Sequence, residues 1–473
     1  MTRVLELIVA LIIVALVGVV VGVAMPGSGH VERSLVVGKD IRQVYDVLDN
    51  FRRFPEYGVL RSYDPKIQYT FSGKAYGPGS ELSWASENAK VGSGKLTIAT
   101  AQPDSFKIDP NTKDAEIVWN VDNDWRGEDK HFTLDLERQG RSGKLTKITW
   151  SYDVVYGLNL INRYSNMYIH GDPDSFVQYS LNSLQNTLAS VPNVDYSGLT
   201  PYIVQTKPTP VLLVSTSSPR KDGLAGLDEV TAGAEQQIQA AAKKLGVNVN
   251  GPRILFTTNY GDQNYTFDVA MPIDATSLTV AGQSVTLTAP TQPPLASAAP
   301  ATSSTAAAPA STEDTSTPGG HDRYGRLILD SNVRATLAFG GPALMGPWSG
   351  TAAGVPQTRD MLKAYASTHG YKFDENVMTG RLYDILAQPE VKDAGGNITT
   401  YARFDVYLPI TDGADGAALP QQTPEQEAGI KQPTLDANGN IVSGTSAPAS
   451  ASTSAAPASS STAAAPAAAS TTK

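Results

Sequence analysis

Cysteine does not occur anywhere in the 473 residues. Its absence excludes disulfides, thiolate metal sites, cysteine nucleophiles and a lipidated cysteine anchor. Histidine is scarce too, with five scattered residues, and there is no His-Glu-x-x-His helix, nucleophile elbow, Rossmann fingerprint or calcium loop. "GSGK" at 92–95 and "SGKLT" at 142–146 lack both the earlier glycine and the Ser or Thr directly after lysine that a phosphate loop needs, so they read as turns. Basic runs are also missing. A formal charge of −9 without an Arg/Lys stripe argues against nucleic acid or anionic lipid as the main partner. No metal, cofactor or catalytic residue is implied, and the acid pair Asp122 and Asp124 beside Trp125 reads as a polar strand connection.

Length points to about three domains' worth of chain. The amino end supplies one long apolar run, Leu7–Ala24, of the length needed to cross a bilayer, with Glu6 at its edge and Arg3 before it. We expect residues 1–29 to be a single-pass membrane anchor and short linker, residues 4–24 lying in the bilayer. The amino end would be cytoplasmic and the bulk extracytoplasmic, in a periplasmic space, because a long downstream domain translocates regardless of its charge. The alternative is a cleaved signal peptide, for which Gly22-Val23-Ala24 offers small residues. Two other segments are mostly Ala, Ser, Thr and Pro. An insertion at 290–320 and a low-complexity tail at 412–473 have too few bulky apolar groups to offset chain entropy and are expected to be disordered.

Residues 30–192 read as strand, amphipathic helix, antiparallel meander and final helix. Ile41, Val44, Val47, Leu48 and Phe51 fall at three- and four-residue steps. Alternation then marks strands: Leu82 and Trp84; Leu96 and Ile98; Ile117, Trp119 and Val121; Phe132, Leu134 and Leu136; Ile148, Trp150, Tyr152 and Val154. Asp172 and Pro173 suit a helix start, and Val177, Leu181, Leu184 and Leu188 form its apolar stripe. Arg52 and Arg53 are expected in solvent. This order, opening on "SLVVGKDIRQVYDVLDNFRRFPEY", resembles the START-like, polyketide-cyclase/dehydrase superfamily with its helix-grip fold. The resemblance implies an apolar cavity between a curved sheet and the last helix that holds hydrophobic ligands. Trp84, Trp119, Trp150, Tyr69 and Tyr152 are the candidate walls, unless these aromatics simply fill the core.

A repeat organises residues 199–411. "FDVAMPI" at Phe267–Ile273 returns as "FDVYLPI" at Phe404–Ile410, and each copy follows a strand, a helix with a Gly stop at Gly246 or Gly370, a strand and a turn. The leading strands are expected at Tyr202–Ser215 and Arg326–Phe339. Halves 199–289 and 321–411, separated by the insertion, therefore suggest a pseudo-twofold domain whose halves wall one cleft. The module resembles the GyrI-like effector-binding domain, also found attached to AraC-type and MerR-type multidrug regulators. That family carries an acidic residue four before a proline followed by an aliphatic residue, matched by Asp405-Val-Tyr-Leu-Pro409-Ile410 and by Asp268-Val-Ala-Met-Pro272-Ile273. In the family's second half the acid is typically Glu, at the centre of a cleft for cationic or polar aromatic ligands; here it is Asp. The resemblance implies ligand contact by Asp405 and Asp268 and places Trp348 in a Gly/Pro-rich loop at the cleft mouth; a carboxylate in an aromatic cleft favours a planar cation, with Tyr407, Tyr383 and Trp348 as the candidate lining, unless alternation turns both acids to water and Trp348 only caps a hydrophobic edge.

The fold class expected is therefore α+β: an apolar helix, a helix-grip sheet domain and a duplicated pseudo-twofold domain. The function expected is a membrane-anchored binding protein for a small hydrophobic or cationic aromatic molecule, with no DNA-binding part. Alternatives are a cyclase/dehydrase-like or hydrolytic enzyme, although no base is visibly paired with a nucleophile, or an envelope scaffold.

Overall fold

The computed structural model describes residues 2–260, 263–292, 317–375, 378–413 and 416–430, with short backbone stretches at 434–435 and 441–443. Most of the 290–320 insertion and nearly all of the chain after 430 lie outside the described residues.

The apolar run forms α1, Thr2–Ala24. Its 23 residues span about 34 Å at 1.5 Å per residue, long and apolar enough to cross a membrane or to act as a signal sequence.

Alternating residues then build a seven-stranded antiparallel sheet from β1 (Ser28–Val37), β2 (Gln68–Gly73), β3 (Ser80–Ala85), β4 (Ser93–Gln102), β5 (Asp114–Asn123), β6 (Glu128–Gln139) and β7 (Leu145–Val155). The order β1-β7-β6-β5-β4-β3-β2 is a meander in which the first strand returns to pair with the last. Every inward residue named above for these strands is buried. Helix α2, Ile41–Leu48, starts at an Asp40 cap that accepts from the Arg42 amide, and a short α3, Leu160–Tyr164, follows β7. The long α4, Asp172–Ala189, buries Val177, Leu181, Leu184 and Leu188 against β1 and β7. Asp174 anchors its first turn to the sheet by pairing both oxygens with Arg33 at 2.7 and 2.6 Å.

The second sheet contains β8 (Tyr202–Thr206), β9 (Thr209–Pro219), β10 (Ile254–Tyr260), β11 (Asn264–Pro272), β12 (Val333–Ala338), β13 (Gly341–Ser349), β14 (Tyr383–Gln388) and β15 (Arg403–Pro409). Helices α5, Gly223–Leu245, and α6, Val355–Thr368, each follow the leading strand of one half. Strand, helix, strand, strand therefore occurs twice, as β9-α5-β10-β11 and β13-α6-β14-β15. The halves join where β10 pairs antiparallel with β14. Gly246 and Gly370 end the two helices at φ 72° and 69°, the left-handed conformation that glycine adopts without strain.

Sheet order runs from the short Leu327–Ile328 strand through β12, β9, β11, β10, β14, β15 and β13 to β8. The pairs β8–β13 and β9–β12 share one register, so 202–219 and 333–349 behave as two long strands that bend together and bring the sheet back onto itself. At the bend a Cβ on Gly340 would lie 2.3 Å from Pro208, an approach only glycine permits. The leading strand of the second half is thus 333–349, later than the expected Arg326–Phe339. Trp348 sits within β13 instead of in a loop. Past Met345 that strand has β15 as its single ladder partner among the described residues, an edge position where Pro347 is tolerated.

The two sheets meet through a buried polar joint. Arg42 on α2 pairs with Glu425 at 2.8 Å and lies 3.5 Å from Asp46. Tyr365 on α6 donates to Glu425 at 2.6 Å, and Tyr196 donates to Asp46 at 2.7 Å. Glu425 belongs to α7, Pro424–Glu427, which is held by a capping box at Thr423. Residues 416–430, expected to be tail, are thus wedged between the units: Thr423 and Glu425 are fully buried, and a composition reading cannot foresee packing against distant partners. Arg52 and Arg53 are also buried. Arg52 donates to the Ala418 carbonyl, and Arg53 donates to the Ser367 carbonyl at 3.0 Å; the surface that covers them belongs to the other unit.

Candidate functional site

In the first sheet the proposed wall residues face inward and pack on one another. Trp119 and Trp150 meet edge-on at 5.3 Å between ring centroids. Phe132 stacks on Phe176 of α4 at 5.1 Å, and Tyr152 tilts against Phe132 at 5.4 Å. Phe51 and Phe54 close on Trp119 from the α2 side at 5.1 and 6.2 Å. Tyr69 touches Phe54 at 6.4 Å, while Trp84 packs further along, against the turn that carries Val91. The interior is therefore an aromatic core, its rings in the edge and offset contacts that π-systems favour. It carries an unusual polar feature: Trp119 Nε1, Trp150 Nε1 and the Tyr57 hydroxyl are buried without an acceptor among the described residues.

Alternation sorts the second sheet into two faces. Phe267, Val269, Phe404, Val406 and Leu408 turn toward α5 and α6. Asp268, Asp405, Tyr407 and Tyr383 turn to the opposite, enclosed face, where Val211, Leu213, Ile254, Phe256 and Ala270 pack. Tyr383 and Tyr407 stack there at 4.8 Å with planes 5° apart. Burial pushes the Tyr383 phenol up, and burial with the Asp405 charge pushes Tyr407 up to about 12, so both are neutral donors. The two repeat acids already have partners. Asp268 is buried and bound by Arg381 at 2.8 Å and Arg326 at 3.3 Å; Asp405 is held by Arg403, two residues away, at 3.0 Å. One space on this face, beside Phe256, Arg326, Arg381 and Phe339, is about 20 Å³, room for one water. Trp348 is not with these residues. Paired opposite Phe404, it lies on the helix-covered face and donates to the Thr351 carbonyl at 2.8 Å.

The larger hollow lies on the helix side, over the β10–β14 junction. Helix α5 packs on β9 and β11, and α6 on β13 and β15, leaving a gap above the central pair. The gap is a cavity of about 250 Å³. It is lined by Leu255, Asp384 and Phe404 of the sheet, by Leu227 and Thr231 of α5, and by Val355, Tyr265, Arg253 and Arg359, with the exposed Leu224, Arg220 and Asp228 also against it. Arg359 of α6, itself buried, binds Asp384 and donates to the Tyr265 hydroxyl at 3.2 Å. Burial pushes the Asp384 carboxyl up, against the downward pull of Arg359 and then Arg253. Arg253 reaches Glu235 at 3.2 Å through Nη1, whereas its Nε is buried without an acceptor among the described residues. The result is an apolar chamber with one polar corner.

None of these cavity residues was among the candidates from sequence. A signal existed: Arg359 interrupts the apolar stripe of α6 one turn before Leu362, and Asp384 interrupts "LYDIL". A charge inside an apolar period marks a buried partner.

No protein-family model matches the chain, and no curated protein matches it. Solved structures similar to part of it include a hypothetical protein from Helicobacter pylori (10% identity, 33% of this chain and 86% of that chain, TM-score 0.25). Others are norcoclaurine synthase from Thalictrum flavum (9% identity, 36% and 90%, TM-score 0.26) and Ara h 8.0201 (15% identity, 35% and 99%, TM-score 0.24). Likeness at these scores adds no weight. Strand order and register define the fold: a curled antiparallel sheet gripping a C-terminal helix, then a twice-repeated strand, helix, strand, strand unit.

Proposed function

We propose that this chain is a membrane-tethered small-molecule-binding protein whose ligand sits between α5 and α6. The carrying observation is the cavity of about 250 Å³ at the junction of the two halves; some 150 Å³ suffices for benzene. Mostly apolar lining with a few convergent polar groups is the usual composition of a ligand site. The duplicated architecture supports reading residues 199–411 as a GyrI-like domain, with 30–192 as a START-like one. The ligand class differs from the family expectation. A cation would have to displace Arg403 from Asp405, or two arginines from Asp268, whereas the cavity offers Arg253 with an unused buried donor. We therefore assign a compact, mainly apolar ligand carrying one acceptor or anionic group.

A second reading concerns the first sheet. Three buried donors among the aromatics, Trp119 Nε1, Trp150 Nε1 and the Tyr57 hydroxyl, have no acceptor among the described residues and favour a second apolar ligand with acceptor groups once Phe176 moves aside.

Thermal-shift and native mass measurements on the full-length protein in detergent test the main reading, using a panel of aromatic carboxylates, neutral aromatics and aromatic cations. Carboxylates or neutral aromatics should raise the midpoint in the wild type and not in Leu227→Trp, which fills the cavity. No stabilising compound, or stabilisation unchanged in Leu227→Trp, would overturn it.

A further inference from the structure

Residues 158–168 carry an apolar surface that the fold leaves uncovered. Leu158 is 89% exposed, Ile161 65%, Met167 65% and Tyr168 73%. Four large apolar side chains within eleven residues form a patch, unlike the singly scattered residues of an ordinary soluble surface. The same stretch contains no carboxylate between Asp153 and Asp172.

Its position relative to α1 gives the patch an occupant. Tyr164 donates its hydroxyl to the Gly18 carbonyl of α1, and Arg163 Nη1 donates to the Val23 carbonyl at 2.9 Å, meeting an otherwise orphaned group at the helix end. A Cβ on Gly22 would lie 3.2 Å from the Tyr164 ring and 3.3 Å from Leu160 Cβ, so α3 lies close against α1 at this glycine. Gly18 precedes the end of α1 at Ala24 by six residues, about 9 Å along the axis. Tyr164 is thus level with side chains that are themselves membrane-apolar.

We infer that residues 158–168 form a foot that rests in the bilayer interface beside α1, with Leu158, Ile161, Met167 and Tyr168 entering the acyl boundary. The inference rests on the reading of α1 as a retained membrane span. Tyrosine and arginine are side chains that interfaces favour, and Arg163 satisfies its donors on the Gly157 carbonyl and on the Val23 carbonyl at the end of α1. Burial of apolar surface, not charge attraction, drives the contact, consistent with a single cationic side chain, Arg163, in the stretch.

The cysteine-free sequence makes the test direct. Single substitutions Ile161→Cys, Tyr168→Cys, Val21→Cys and Asn111→Cys are made in the full-length protein, labelled with an environment-sensitive fluorophore and reconstituted in phosphatidylcholine vesicles containing brominated lipid. Quenching at 161 and 168 should match that at 21 and exceed that at 111, which lies on an exposed turn. Quenching at 21 with 161 and 168 as dark to bromine as 111 would overturn the foot while leaving the anchor. Absence of quenching at all four positions would overturn the anchor, and the foot with it. Quenching at 21 alone, with cross-links forming between copies at 161, would assign the patch to self-association instead.

Discussion

Two curved antiparallel sheets lie in one chain, and they treat their faces differently. The first is covered by one long helix, α4, laid along β1 and β7, and its concave side is occupied by the buried Phe51, Phe54, Trp119, Phe132, Trp150 and Phe176. The second bends back on itself, so one face is enclosed and filled by its own side chains, as in small barrels. Its other face is covered by two helices, one per half. Each packs on its own half's outer strands, and neither lies over the β10–β14 seam, so a hollow remains there. Duplication leaves a gap on the axis that a single helix would cover.

The largest expected effect tests the filled side of this contrast. Trp119→Ala should cost about 3–5 kcal/mol in a denaturant titration, the usual range for deleting a packed aromatic. A loss below about 1 kcal/mol would mean that the first interior is a loosely filled cavity after all. Next come the two repeat acids, identical in motif and different in surroundings. Asp268→Asn removes the buried carboxylate that Arg381 binds at 2.8 Å, while Arg326 keeps Asp322 at 2.6 Å, and should cost about 3 kcal/mol. Asp405→Asn, partly exposed beside Arg403, should cost under about 1 kcal/mol. Equal losses would dissolve the distinction between a closed and an open acid. Leu227→Trp, at a half-buried position lining the cavity, should shift stability by less than about 1 kcal/mol while abolishing the ligand-induced rise in melting midpoint.

The smallest effect concerns the joint between the sheets. His369 is buried and stacks on Tyr365 at 3.9 Å; burial holds its imidazole below the usual range, against the upward pull of Asp46 and Glu425. The folded state keeps the ring neutral where the unfolded chain, with a value near 6.5, takes up a proton. Its contribution is thus complete above about pH 6.5 and declines as pH falls below it. The melting midpoint should fall between pH 7.5 and 5.5, and His369→Gln should flatten that part of the profile.

Much of this was legible before any coordinates. Alternation at Ile117, Trp119 and Val121, or at Ile148, Trp150, Tyr152 and Val154, marks inward strand faces because side chains alternate strictly across a pleat. The returning "FDV…PI" ending marked the duplication and placed both helices. The candidate site was less legible. Asp405 and Asp268 look like a matched pair in sequence, yet alternation puts them on the enclosed face, with arginines supplied from 326, 381 and 403. Arg359, Asp384, Leu227 and Tyr265 come from four elements and Arg253 from the segment before β10, and nothing local announces that they share a chamber. Arg52, Arg53 and Glu425 misled for the same reason, since each is buried by a part of the chain far away.

The sequence alone determined which residues form each strand and helix, that a long apolar helix leads the chain, and that one module occurs twice, because periodicity and repetition are local properties. Tertiary structure alone decided which faces are filled and which stay open. Closure of the second sheet, the space between two helices and the wedge of residues 416–430 depend on how separate elements meet, and packing is a property of pairs of surfaces, not of either one.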